Sequence, residues 1–84
     1  KVMTEVFEWK PTENDTMTVE YCFSTVDNCL KIVEMNLNGK FHRATWMSPK
    51  GRTRLISALK NDYHYKTGTT FTSMQMRDAV LNIN

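Results

Sequence analysis

Eighty-four residues, 40% apolar and 24% charged, suffice for one hydrophobic core in a single domain, 1–84, and argue against a disordered chain. No apolar run approaches the roughly 18 residues that span a bilayer, and no basic-apolar-small order opens the chain, so a cytoplasmic protein is expected. A net charge of +2 is too small to indicate a partner, which leaves the distribution of that charge as the informative quantity.

In chain order, Val2–Trp9 reads as a strand with Met3, Phe7 and Trp9 on one side, and Pro11–Thr16 as a loop. Met17, Val19, Tyr21 and Phe23 then alternate with Thr18, Glu20 and Cys22, the period of two of a half-buried strand. Ser24–Asn28 is a turn, and Cys29–Leu37, rich in β-branched and aliphatic residues, is the next strand. Asn38-Gly39 is the strongest short hairpin signal, because both positions of a type I′ turn need positive φ. Lys40–Met47 returns as the partner strand, and a two-residue turn pairs Leu37 with Lys40, Met35 with His42, Glu34 with Arg43 and Val33 with Ala44.

Ser48-Pro49 opens a helix, with a capping hydroxyl followed by proline where its missing N–H costs nothing. Leu55, Ile56, Leu59 and Tyr63 share one face, and the helix is expected to end near His64. Lys66–Thr72 reads as a loop or short strand, and Ser73–Ile83 as a last helix behind a Thr72-x-x-Gln75 capping box. Met76, Ala79, Val80 and Ile83 lie on one side of that helix and Met74 and Leu81 on the other. An element apolar on two sides is buried or used in an interface, so a homodimer through Ser73–Ile83 is expected. The fold class is α+β: a small antiparallel β-meander of about four strands followed by two helices packed on one face. Its expected core is Met17, Val19, Tyr21, Phe23, Val33, Met35, Leu55, Ile56 and Leu59.

The charges are sharply segregated. Residues 1–39 carry three basic and seven acidic side chains, a net −4, whereas 40–66 carry seven basic side chains against Asp62 alone, a net +6. Cations gathered on one hairpin limb and one helix repel each other unless something anionic lies opposite. Lys50, Arg54, Ser57 and Asn61 follow spacings of four, three and four, a stripe roughly opposite the apolar face. Such a mixture of phosphate-binding cations and neutral hydrogen-bonding groups suits nucleic acid. Arg52 and Arg54 crowd the helix N-terminus, where the macrodipole disfavours cations. On the hairpin limb Phe41, Arg43 and Thr45 share a face, and an aromatic ring beside an arginine on an open sheet is how single-strand binders stack bases. Trp46 is expected in the core and Trp9 in the core or at its rim.

The expected interface is therefore Lys40, Phe41, Arg43, Lys50, Arg52, Arg54, Ser57, Lys60 and Asn61, with DNA or RNA as the partner. Two other readings stand beside it. The basic stripe is the ordinary solvated side of an amphipathic helix, or it docks on an acidic protein, making the chain a non-enzymatic adaptor or inhibitor. The basic segment could also face the acidic first half, within the fold or in a dimer. The abundance of Met, Asn and Thr beside little Ala suits an AT-rich genome such as a phage's.

No enzymatic chemistry is indicated. His42 and His64 have no Cys, His or carboxylate at metal-ligand spacing. Nothing local supports a nucleophilic pairing of Cys22 or Cys29 with His42, and Gly39, Gly51 and Gly68 make no phosphate loop. Cys22 and Cys29 read as reduced thiols rather than a redox or zinc pair, with a disulfide as the alternative. No cofactor or metal is expected.

Overall fold

The computed structural model describes residues 4–26, 29–68 and 80–82, the last of these by their backbone alone. Strands β1 (Glu5–Thr12), β2 (Asp15–Ser24), β3 (Cys29–Leu37) and β4 (Lys40–His42) form an antiparallel meander, followed by a 3₁₀ turn at Ala44–Trp46 and helix α1 (Pro49–Thr67). A three-residue strand β5 (Val80–Asn82) pairs in parallel with Leu30–Ile32 of β3. One side of β3 is therefore lined by β2, and its other side is shared between β4 and β5. The α+β architecture is the expected one, but the expected second helix is not found among the described residues. Residues 73–79 and 83 of Ser73–Ile83 lie outside them, and Val80–Asn82 is extended, its backbone committed to β3.

The β1–β2 turn is tighter than the sequence suggests, since the strands continue through Thr12 and from Asp15 and leave only Glu13 and Asn14 between them. The register shifts between Trp9 and Thr12, where Pro11 lies. That position suits proline, because a bulge tolerates a residue with no N–H to give to the ladder.

A second register shift reshapes the core. Glu20 pairs with Glu34 but Tyr21 with Ile32, so Val33 is an extra residue on β3. With a side-chain period of two, that one residue turns Leu30 and Ile32 onto the same face as Met35. Leu30 and Ile32 are buried and Val33 only half-buried. The bulge therefore replaces the expected Val33 with two core residues. Of the other expected core residues, Met17, Val19, Tyr21, Met35, Leu55 and Leu59 are buried, while Phe23 and Ile56 are half-buried.

Helix α1 lies on that apolar face. Ser48 Oγ accepts a hydrogen bond from Gly51 N at 3.1 Å, and Pro49 occupies the first turn. The helix runs one turn past the expected end, to Thr67, where Gly68 at φ 75° closes it by donating to His64 O. Tyr63 meets Tyr21 edge-on and stacks on Phe23, which fixes the helix against β2. The Tyr21 side chain is fully buried, and its hydroxyl donates to Asp62 Oδ2 at 2.6 Å. Burial first, and this hydrogen bond second, push its pKa far above the ordinary phenol value. Lys66 Nζ lies 2.9 Å from the same carboxylate oxygen and 3.9 Å from Glu5. Cys22 and Cys29 are buried free thiols.

Candidate nucleic-acid interface

The hairpin limb begins at the Asn38-Gly39 turn. Both residues take positive φ, 52° and 83°, and Leu37 pairs with Lys40 and Met35 with His42 as the sequence predicts. The tip is held by the Asn38 side chain. Its Nδ2 donates to Asp15 Oδ1 and its Oδ1 accepts from Thr16 N, each at 2.9 Å. With the Thr12 hydroxyl donating to the other carboxylate oxygen, the Asn38 and Thr12 hydrogen bonds hold the Asp15 pKa below its ordinary value.

The expected strand Lys40–Met47 stops at His42, so the Glu34–Arg43 and Val33–Ala44 pairs do not form. The cause is the 3₁₀ turn that follows. With three residues per turn, positions 44 and 47 project to the same side. Ala44 is buried and Met47 packs against the core, so Thr45 and Trp46 are turned outward. Trp46, expected in the core, is 59% exposed. It meets Phe41 edge-on at 6.0 Å and His42 edge-on at 5.4 Å. Phe41 is also exposed, and the Arg43 guanidinium lies 5.2 Å from its ring centre. A shallow depression of about 370 Å³ beside these rings is lined by Leu37, Asn38, Lys40, Phe41 and His42.

The helical residues divide. Lys50, Arg52, Ser57 and Asn61 are exposed. Arg54 is exposed too, but it reaches across to β1, where Nη2 donates to Pro11 O at 3.0 Å and the guanidinium stands 5.7 Å from the Trp9 ring centre. Lys60, expected on the open basic face, is buried at 8% exposure, and this burial lowers its pKa. Position 60 follows Ile56 by four and precedes Tyr63 by three, so it borders the apolar arc. That spacing is the sequence signal of its burial, which its charge conceals. Of the expected residues, Lys40, Phe41 and Arg43 on the hairpin limb and Lys50, Arg52, Ser57 and Asn61 on the helix are thus exposed. Trp46 and His42, which the expected site left out, lie against Phe41 or one another there.

The acidic half of the chain is divided, with Asp15 bonded to Asn38 at the hairpin tip. By register, Glu8, Glu20 and Glu34 fall on the sheet face opposite α1. Glu5 is on the helical side, where Lys66 reaches it. The segregation along the sequence is thus only partly kept in space, since Lys66 reaches Glu5 and Phe41 shares the glutamate face by register. Among the described residues no group of three or more His, Cys, Asp and Glu side chains could hold a metal ion, and no helix is long and apolar enough to cross a membrane. Comparison with protein-family models, with curated proteins and with solved structures finds no match to this chain.

Proposed function

We propose that this chain is a small, non-enzymatic nucleic-acid-binding domain whose interface is formed by Lys40, Arg43, Lys50 and Arg52, with Phe41, Ser57 and Asn61 beside them. The observation that carries this reading is the exposure of Lys40, Lys50 and Arg52 within one short segment that also exposes Phe41 and Trp46. Glu8, Glu20 and Glu34 lie on the sheet face away from α1, a face that Phe41 shares by register, whereas Lys40 is on the helical side. Exposed cations gathered on one hairpin limb and the helix that follows it favour an extended polyanion. Arg54 contributes less than its charge suggests, because its guanidinium is engaged with Pro11 and Trp9.

Fluorescence anisotropy on labelled oligonucleotides at several salt concentrations tests the proposal. About four phosphate contacts give a slope of log K against log salt near −3 to −4. Absence of binding at low salt ends the reading. In that event the basic face is left to an acidic protein partner, recognised as a one-to-one complex that survives nuclease treatment.

A further inference from the structure

We propose that Trp46, Phe41 and His42, gathered at the outer edge of β4, form a stacking site for unpaired nucleobases, which makes single-stranded nucleic acid the ligand class. The inference rests on the nucleic-acid reading above and narrows it.

Phe41 and His42 are neighbours in a strand, so their side chains leave on opposite faces of the sheet. Trp46 touches both rings, so the indole spans the free edge of β4. Both contacts are close to perpendicular, at 87° and 83°. An edge-to-face contact occupies at most one ring face, whereas parallel stacking occupies two. Three rings have six faces; the two edge contacts use at most two of these, and the Arg43 guanidinium over Phe41 one more. At least half are left by these contacts, and Trp46 at 59% and Phe41 at 46% exposure present theirs to solvent.

A ring face standing out from the surface meets a base face only if the base is out of a duplex, since duplex bases are stacked within the helix and offer their edges alone. Lys40 and Arg43 flank Phe41 in the chain and supply phosphate contacts to a strand running past it. The depression lined by Leu37, Asn38, Lys40, Phe41 and His42 lies beside the rings and gives a base a place to enter. Asn38 has both amide atoms committed to Asp15 and Thr16, so it forms a wall. Stacking itself is tolerant of sequence, because every base has a ring face.

The test is anisotropy of the full chain with a labelled oligothymidine of about a dozen nucleotides and with a duplex of the same length. Trp46→Ala and Trp46→Phe are measured beside the unsubstituted chain, and circular dichroism confirms that each is folded. The expected result is tighter binding of the single strand, a loss of roughly 5- to 100-fold in Trp46→Ala, and recovery of most of it in Trp46→Phe, which keeps a ring. Duplex affinity is expected to change less than about twofold in either variant. Equal affinity for the two forms with no effect of Trp46→Ala overturns the stacking site and leaves the basic-face reading intact. Binding of neither form overturns both.

Discussion

The sheet has two outer edges, and the fold covers them by opposite means. At β1 the cover is cationic and fully engaged. Lys66 Nζ donates to Val6 O at 2.8 Å and Arg54 Nη2 to Pro11 O at 3.0 Å, so two helical side chains satisfy carbonyls of an edge strand. Lys66 is held there by Asp62 and Glu5, and Arg54 by the Trp9 ring. At β4 the cover is aromatic, with Trp46 lying against Phe41 and His42, and its rings remain open to solvent. An exposed strand edge is a template for pairing with another chain, and both devices blunt it. The difference is that the β1 cover is bonded inside the molecule, whereas at β4 Trp46 and Phe41 stay exposed. A basic residue near each edge is therefore differently placed: Arg54 is bonded across to β1, whereas Lys40 is exposed at β4.

The comparison breaks most severely at Asp62. Its carboxylate accepts the Tyr21 hydroxyl and the Lys66 ammonium, and its side chain is only 14% exposed. Asp62→Ala leaves a fully buried phenol without an acceptor and releases Lys66 from the β1 edge. A destabilisation of about 2–3 kcal/mol is expected in urea unfolding, together with a rise in self-association as β1 is uncovered. Stability within about 0.5 kcal/mol of the unsubstituted chain would show that this network does not hold the helix to the β1 edge.

A paired substitution sharpens the contrast. Arg54→Ala, by losing its bond to Pro11 and its place over Trp9, is expected to cost about 1 kcal/mol of stability and little nucleic-acid affinity. Trp46→Ala is expected to do the reverse, changing stability by less than about 0.5 kcal/mol while weakening single-strand binding. The two substitutions having the same effect on both readouts would erase the distinction between the edges. Within the basic segment the salt slope draws the same line. Lys40→Ala is expected to make it shallower by about one unit, and Lys60→Met to leave it unchanged, because Lys60 is buried.

These contrasts mark where the chain is legible from its residues. The Asn38-Gly39 hairpin, its first pairings and the Ser48-Pro49 helix start are local signals, in which each residue's own backbone preference sets the structure. The bulge at Val33 is not local. It depends on how β2 and β3 settle against α1, and it exchanged Val33 for Leu30 and Ile32 in the core. The short β4 follows from Ala44 and Met47 turning inward together, a spacing of three that alternation along a strand conceals. Trp46 was misplaced for that reason, and with it the centre of the candidate site. Met76, Ala79, Val80 and Ile83 have helical spacing, yet Val80–Asn82 is extended because the edge of β3 beyond β4 offers it a parallel partner. Charge segregation is visible in the sequence, but which cations stay uncommitted is not, since Lys60 is buried and Arg54 is bonded to Pro11 of β1.

The smallest expected effect concerns the support beneath the β4 edge. Asn38 ties the hairpin tip to Asp15 and Thr16, and its hydrogen bond is the main cause of the depressed Asp15 pKa. Because the folded-state pKa lies below the unfolded one, the ionised carboxylate favours the fold. Its contribution is fully present above the ordinary value of 3.8 and is lost as pH falls through the lower folded-state value. Asn38→Gly separates this from the turn itself, since glycine accepts a φ of 52° without strain while the side-chain bonds vanish. The Asp15 carboxyl, followed by carbon-detected NMR titration, is expected to move back toward 3.8 in this variant and to keep a remnant of its depression from Thr12. The acid limb of the stability profile should flatten in step, as it should in Asp15→Asn, which abolishes the titration. Single-strand binding at neutral pH should fall only slightly, because Trp46 is placed by Ala44 and Met47 rather than by the hairpin tip. A large loss of binding in Asn38→Gly would mean that the tip positions the rings, and that the β4 edge is organised from the turn.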